Sequence, residues 1–293
     1  MKARRLFRAA LLAGLAVIAL FSASCEGIGK IIVPEPTPTY AAEGGFSVEA
    51  MSLGKADCLI LDTKDHLAVI DLGVRERAEE IATAIAARGK AVDALIITHY
   101  DKDHIGAAKK VLNSVTVKNV YLPEYDDEKS ENASEVKGYL AKHQIEPITV
   151  SETLSFRLDE VEFTVYHTDI FFKRNDEGSN ESSLCVTAKH GENLFLFAGD
   201  AVGRRLPEIL SQLPDPSAVD WLKVPHHGVY DDNSESFIRA LSARYAVICC
   251  SNAESADKRV LTLLEDGGAE VFTTDLKSVL SVSDGSSIEV KYL

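Results

Sequence analysis

The apolar run Ala94-Leu95-Ile96-Ile97 breaks off into Thr98-His99-Tyr100-Asp101-Lys102-Asp103-His104-Ile105-Gly106, which sets four potential metal ligands within six residues. The run is short, rich in β-branched residues and followed by polar ones. It therefore reads as a buried strand whose end delivers His99, Asp101, Asp103 and His104 into a loop. A helix over 107–113 follows. Neutral imidazole and carboxylate are the donors that divalent transition metals take from proteins, and a strand-end loop can fold so close a set around one point. Any one of these side chains alone would be an ordinary solvated loop residue; four together point to a metal. The remaining ligands must then come from other strand ends, so the chain has to fold as a β-structure with one polar rim.

Other strand ends carry polar groups in the same way. Asp71-Leu72-Gly73 ends one apolar run, Asn180 and Ser183 flank the start of another, Gly199-Asp200 ends Leu194–Ala198, and His226-His227-Gly228 follows Val219–Val224. Asp71 is expected to hydrogen-bond to a ligand rather than to be one. Asp200 has a blander alternative, capping a helix over 201–210. His66, His143, His167 and His190 sit among charged or polar residues and are expected at the surface.

Strands over 46–51, 56–62 and 67–71 form an opening meander, and a helix over 75–88 stops at Gly89. Further strands are expected at 117–122, 148–150, 155–157, 161–166, 184–188, 194–198, 219–224, 246–250 and 271–274. Helices at 134–143, 234–241 and 257–264 alternate with them, and a hairpin over 278–282 and 287–292 closes the chain. No Pro/Gly/Ser-rich linker interrupts residues 46–293 and no repeat of fixed period occurs, so one α+β or α/β domain is expected, with helices covering both faces of two packed sheets.

The beginning of the chain is of another kind. Lys2, Arg4, Arg5 and Arg8 precede the apolar stretch Ala10–Phe21, and small residues lead to Cys25, so residues 1–25 read as an export signal. The site resembles a bacterial lipoprotein processing site with Cys25 as the lipid-bearing residue, although Ser22 stands where Leu is usual. Residues 26–45, with Pro34, Pro36 and Pro38, read as a flexible tether. An extracytoplasmic protein lipid-anchored to the bacterial cell membrane is expected, or alternatively a secreted one. Cys58, Cys185, Cys249 and Cys250 lie in apolar runs and read as small buried side chains, with a Cys58–Cys185 disulfide left open. The net charge of −14 is strongly acidic. Such a surface repels polyanions at long range and argues against a broad basic nucleic-acid patch.

The set His99-x-Asp101-x-Asp103-His104, Asp71, Gly199-Asp200 and Lys223-Val-Pro-His-His-Gly228, in this order, resembles the metallo-β-lactamase superfamily over about residues 46–293. With Asn180-x-x-Ser183-Leu184 it is similar, more narrowly, to the extracytoplasmic metallo-hydrolase domain of competence DNA-uptake channel proteins and to secreted phosphodiesterases of the same superfamily. The resemblance implies a four-layer αββα sandwich and two divalent metal ions, zinc or manganese. It implies that His99 and Asp101 hold one ion, that Asp103, His104 and His227 hold the second, and that Asp200 and a hydroxide bridge them. His226 is then a proton donor or phosphate contact supported by Lys223, Asp103 and His226 carry the chemistry, and Asn180 and Ser183 lie around the metals or substrate. The roles of His226 and His227 are interchangeable at this level.

Two departures qualify the resemblance. Asp101 stands where His is commoner, and a further His usually found near 180–183 is missing. Oxygen in place of imidazole weakens the preference for zinc and leaves the first ion more loosely held. Ser251–Asp257 replaces a Tyr-Gly-His-Pro element that tends to mark the competence-type domains. The reading is an extracytoplasmic phosphodiesterase or nuclease-like hydrolase acting on small-molecule or oligonucleotide phosphodiesters. It is held at the membrane by its N terminus and has no stable protein partner. Hydrolysis of a carbonyl substrate (lactone, thioester or β-lactam) and a non-catalytic binding module with a vestigial metal site are the alternatives.

Overall fold

A computed structural model of the chain describes residues 45–124, 131–170 and 178–293. The export signal, Cys25 and the tether as far as residue 44 lie outside the described residues. The first half runs β1 (Phe46–Ala50), β2 (Leu59–Asp62), β3 (Leu67–Ile70), α1 (Ala78–Ala86), β4 (Val92–Ile96), α2 (Lys102–Ile105), α3 (Ala108–Leu112), β5 (Val117–Pro123), α4 (Glu131–Lys142) and β6 (Ile148–Val150). The second runs β7 (Leu154–Leu158), β8 (Val161–Tyr166), α5 (Gly178–Glu181), β9 (Cys185–His190), β10 (Asn193–Phe197), α6 (Arg205–Gln212), β11 (Trp221–Lys223), α7 (Ser234–Leu241), β12 (Tyr245–Ile248), α8 (Lys258–Asp266) and β13 (Glu270–Thr273). The hairpin β14 (Val279–Ser283) and β15 (Ile288–Tyr292) then returns to the first sheet.

Two sheets result, ordered β15-β14-β1-β2-β3-β4-β5-β6 and β13-β12-β11-β10-β9-β8-β7. Side-chain alternation decides their stacking. In the first sheet Phe46, Val48, Leu59, Leu61, Ala94 and Ile96 meet Phe163, Val165, Phe195, Phe197 and Trp221 of the second in a central core. The intervening Ile60, Val69, Leu95 and Ile97 face the other way, against Ile81 and Ile85 of α1, Val111 of α3 and Val136 and Leu140 of α4. On the far side Leu196, Leu222, Ala246 and Ile248 pack under Leu206 of α6, Phe237 and Leu241 of α7 and Val260 of α8. The fold is thus a four-layer αββα sandwich. Because central strands are buried on both faces, the end of β4, Ala94-Leu95-Ile96, reads as an unbroken apolar run instead of an alternating one.

The parallel set β3-β4-β5-β6 in one sheet and the parallel set β10-β11-β12-β13 in the other bring their carboxyl ends to one edge. Open parallel sheets offer ligand sites there. The Leu184 N–H donates to the Thr98 carbonyl at 2.9 Å and ties the two sheets together at that rim. Gly199, at φ 55°, lies where an added Cβ would come within 3.1 Å of the Cβ atoms of Ser183 and Thr98.

Several expectations are revised. The helix expected over 201–210 begins at Arg205, so Asp200 lies in the loop before it and does not cap it. Lys102–Ile105 is already helical, inside the stretch read as a loop. His190 is buried, not at the surface: it ends β9, where its Nδ1 meets the Ser283 Oγ at 2.8 Å, because the β9–β10 turn tucks under the β14–β15 hairpin. His143 is exposed, and His66 and His167 are half-buried. Cys58 packs in the α1–α4 layer and Cys185 in the α6–α8 layer, with both sheets between them, and both are free thiols. That separation rules out a bridge.

Trp221, fully buried in β11, donates from its indole Nε1 to the Ser281 Oγ of β14 at 2.8 Å, across the sandwich. Replacement by Ala is expected to destabilise the protein by about 3–5 kcal/mol. Trp221→Phe, which keeps the ring but strands the Ser281 hydroxyl, should cost about 1–3 kcal/mol. Urea denaturation midpoints of the metal-free protein check both; equal midpoints for the two variants would contradict the role given to the hydrogen bond.

Candidate metal centre

The ends of β3 and β4 build the first half of the site. Asp71, fully buried at φ 59°, follows β3; its Oδ1 accepts the Thr98 N–H at 2.8 Å, and its Oδ2 accepts the Thr98 hydroxyl at 2.7 Å. The same Oδ2 accepts from His104 Nδ1 at 2.7 Å. His99 Nδ1 meets the Thr98 Oγ1 at 3.0 Å. One buried carboxylate therefore fixes both imidazoles, His104 directly and His99 through Thr98, with Nε2 pointing away in each case.

The second sheet supplies the other half. Asp200 follows β10, its N–H donating to the Ser183 Oγ at 3.2 Å. Beyond β11 the chain passes through His226 (φ 48°) and His227 (φ 53°) before Gly228 (φ 76°). Positive φ at two consecutive non-glycine residues costs of order 1–3 kcal/mol each and persists only where surrounding structure enforces it. Here the His226 N–H donates to the Gly199 carbonyl at 3.2 Å and His227 Nδ1 to the Cys249 carbonyl at 2.8 Å. Among the described residues six non-glycine positions have positive φ, and Asp71, His226 and His227 are three of them, so strain is concentrated at this rim.

Asp103, His104, Asp200 and His227 come together, each offering a ligand atom within 4.8 Å of the others. His104 Nε2 lies 3.2 Å and His227 Nε2 3.1 Å from Asp200 Oδ2, and His227 Nε2 is 3.4 Å from Asp103 Oδ2. His99 and Asp101 stay outside that group: they face each other at 3.7 Å, with the Asp101 side chain 42% exposed. His226 is also outside it, its Nε2 3.4 Å from Asn180 Nδ2. Of the two adjacent histidines, it is His227 whose free nitrogen joins the carboxylates. Ser183 supports the Asp200 backbone, and Lys223 reaches Asp200 Oδ1 at 3.4 Å.

The electrostatics of the cluster are set by burial and by the pairing of carboxylates with imidazoles. Among the described residues, the Nε2 atoms of His99, His104 and His227 are buried without hydrogen-bond partners. Burial alone would push His104 and His227 down, but Asp200 with Asp71 raises His104 well above the usual imidazole range, and Asp200 with Asp57 raises His227 to about 9. Burial and then His104 hold His99 down at about 4. Against the opposing effect of burial, His227 and His104 hold Asp103 well below the carboxylate range, and they do the same for Asp200 together with Lys223. Carboxylates kept ionised beside imidazoles with free nitrogens form a donor set that fits a divalent metal. Burial and then His227 push His226 down, so its imidazole is neutral at neutral pH.

Sequence reasoning missed two residues here. Asp57, fully buried just before β2, pairs with Lys223 and lies 3.5 Å from His227 Nδ1. Its signal was an Asp flanked by apolar residues in Ala56-Asp57-Cys58-Leu59, at the start of a strand antiparallel to β3 and so close to Asp71. Arg205, also fully buried, donates to the carbonyls of Ser183 at 2.9 Å and Tyr166 at 3.1 Å and so anchors the segment that supports Asp200.

Comparison with known proteins follows the same line. The family model described as the metallo-beta-lactamase superfamily matches residues 52–251. ComE operon protein 3 of Bacillus subtilis (strain 168) is 27% identical over 265 residues, 81% of this chain; the chain spans about a third, 33%, of the length of that curated relative. Among solved structures, the metallo-beta-lactamase fold protein YhfI of Bacillus subtilis superimposes with a TM-score of 0.53 at 10% identity, covering 84% of this chain and 100% of that one. CmlA, a diiron beta-hydroxylase from Streptomyces venezuelae, does so with a TM-score of 0.52 at 14% identity, covering 85% of this chain and 54% of that one. At these identities the two structures establish a shared fold.

The raised His227 makes a signed prediction. Its contribution to the stability of the metal-free protein is complete below the unfolded value of about 6.5 and is lost as pH rises through about 9. Metal needs the neutral imidazole, so metal affinity rises over the same window. Thermal melts between pH 6.5 and 9 should show the gap between zinc-loaded and metal-free protein widening with pH; a constant gap would contradict it.

Proposed function

The chain belongs to the metallo-β-lactamase superfamily, and from that premise we propose that it is a metal-dependent hydrolase of phosphodiesters. The observation that carries the reading is the convergence of buried, partnerless imidazole nitrogens on Asp103 and Asp200 at the rim where the two sheets meet. Asp103, His104, Asp200 and His227 would hold one divalent ion. His99 and Asp101, sharing Asp200, would hold a second more loosely. Bound divalent metal lowers the pKa of water toward 7 and neutralises charge on an attacked phosphodiester.

The chain's own groups prepare that chemistry. Asp71 and the Cys249 carbonyl fix the tautomers of His104 and His227, so that neither ligand has to reorient. Neutral His226 accepts from the Asn180 amide at Nε2, which leaves its Nδ1 as an N–H donor without a partner among the described residues; the Asn180 Oδ1 is partnerless too. These two side chains are the proposed contacts for the phosphoryl group or its leaving oxygen. The oxygen-rich set with Asp101 accommodates manganese as readily as zinc. An acidic surface favours short oligonucleotides, envelope phosphodiesters and other small substrates over long duplexes. Similarity to ComE operon protein 3 supports the narrower resemblance to the DNA-uptake domains. An extracytoplasmic position, with Cys25 lipidated and residues 26–45 as tether, completes the proposal.

The decisive test is metal analysis of the purified protein together with hydrolysis of a chromogenic phosphodiester, a lactone, a thioester and a β-lactam in zinc and in manganese. Phosphodiester turnover is expected to exceed the others and to drop by at least about 10²-fold in Asp103→Ala and in His227→Ala, as for loss of a transition-state contact. Unchanged turnover in either variant, or faster turnover of a carbonyl substrate, overturns the reading. Anchoring is checked separately by labelling cells with an alkyne fatty acid. The label should reside in the chain and vanish in Cys25→Ser; a parent chain that takes up no label refutes lipidation.

A further inference from the structure

Asp57 lies beneath the group formed by Asp103, His104, Asp200 and His227 and outside it, with a carboxylate oxygen within 4.8 Å of one of Asp71 and of a ring nitrogen of His104. Its side chain is fully buried, and no hydrogen bond of ordinary geometry reaches either carboxylate oxygen among the described residues. Its charge is met by the ammonium of Lys223, which is fully buried as well. The same Nζ donates to the Gly199 carbonyl at 3.0 Å and reaches Asp200 Oδ1 at 3.4 Å. Lys223 thus holds Asp200 by one oxygen and leaves Oδ2 facing His104 and His227. The other Asp57 oxygen lies 3.5 Å from His227 Nδ1, on the side of the ring away from Asp103.

The backbone of residue 57 makes the same connections. Its N–H donates to the Asp103 carbonyl at 3.1 Å, and its carbonyl accepts the Gly73 N–H at 2.8 Å. Through one residue, then, the loops bearing Asp71 and Asp103 in the first sheet are joined to Lys223, Asp200 and His227 in the second. An ion pair buried to this degree is weak evidence for stability, since apolar replacements of such pairs are often neutral or better. A pair that orients a metal ligand is another matter, because groups behind a ligand set its direction and basicity.

We propose that Asp57, acting through Lys223, is a positioning residue of the metal centre that fixes Asp200 and His227 across the junction of the two sheets. It rests on the metal reading given above, and its test needs no substrate. The full-length protein and the variants Asp57→Asn and Asp57→Asn/Lys223→Met are titrated with Co(II), followed by its visible absorption and by chelator competition, with urea midpoints of the metal-free forms in parallel. Asp57→Asn should bind cobalt about 10–100-fold more weakly, with an altered spectrum, and should unfold earlier because the buried ammonium of Lys223 loses its nearest counter-charge. The double variant removes both charges. It should recover the urea midpoint while its cobalt affinity and spectrum stay displaced. Recovery of stability, affinity and spectrum together would show that the pair only balances charge and would overturn the proposal, as would parent-like cobalt binding by Asp57→Asn. A parent chain that binds no cobalt overturns the metal reading and this proposal with it.

Discussion

Buried negative charge is the constraint on which the rest of this structure depends. Asp57, Asp71 and Asp200 are almost entirely withdrawn from water at the junction of the two sheets, and Asp103 lies close beside them. Unpaired carboxylates in such a place would cost several kcal/mol each, so every one must find a proton donor or a cation. Asp71 takes the Thr98 and His104 donors, Asp57 takes Lys223, and Asp200 shares Lys223 with two imidazoles. What remains is a set of carboxylate oxygens and imidazole nitrogens whose chemistry fits a divalent cation.

The architecture makes this clustering possible. Parallel strands β3 and β4 stop where β10 and β11 stop, and the Thr98 to Leu184 hydrogen bond holds the two edges in register. Each strand end contributes a single polar side chain or a short run of them, while the apolar positions before it bury themselves on two faces. At the end of β4 packing and chemistry are two residues apart along the chain, Ile97 in the helical layer and His99 in the centre. Local propensity is overruled at the same rim: the positive φ of Asp71, His226 and His227 would be unfavourable anywhere that did not enforce it.

Much of this was legible in the sequence, because strands that end in polar residues announce themselves by composition. The polar strand ends, the two packed sheets and most element positions followed from that pattern, with α7 falling on the expected 234–241 and β8 on 161–166. What escaped was whatever depended on antiparallel return. Asp57 precedes its strand, and only the β2–β3 pairing shows that a strand's beginning lies beside another's end. His190 looked solvated because Lys189, Gly191 and Glu192 surround it in sequence, yet β14, nearly a hundred residues later, covers it. Arg205 has the composition of a surface helix start and is instead enclosed by carbonyls that come from β8 and the segment after α5. Long-range enclosure leaves no local signature.

The division of the candidate ligands between the sheets has a consequence for how the chain would come to hold an ion. Asp103 and His104 come from the first half of the domain, Asp200 and His227 from the second, and roughly a hundred residues separate them in sequence. An ion seated among them closes that long loop as a disulfide would, with the constraint falling mainly on the unfolded chain. Neither half alone presents more than two of the four donors. A metal held there would act as a clasp that can fasten only after both halves have docked, and its hold would report on the completeness of the fold.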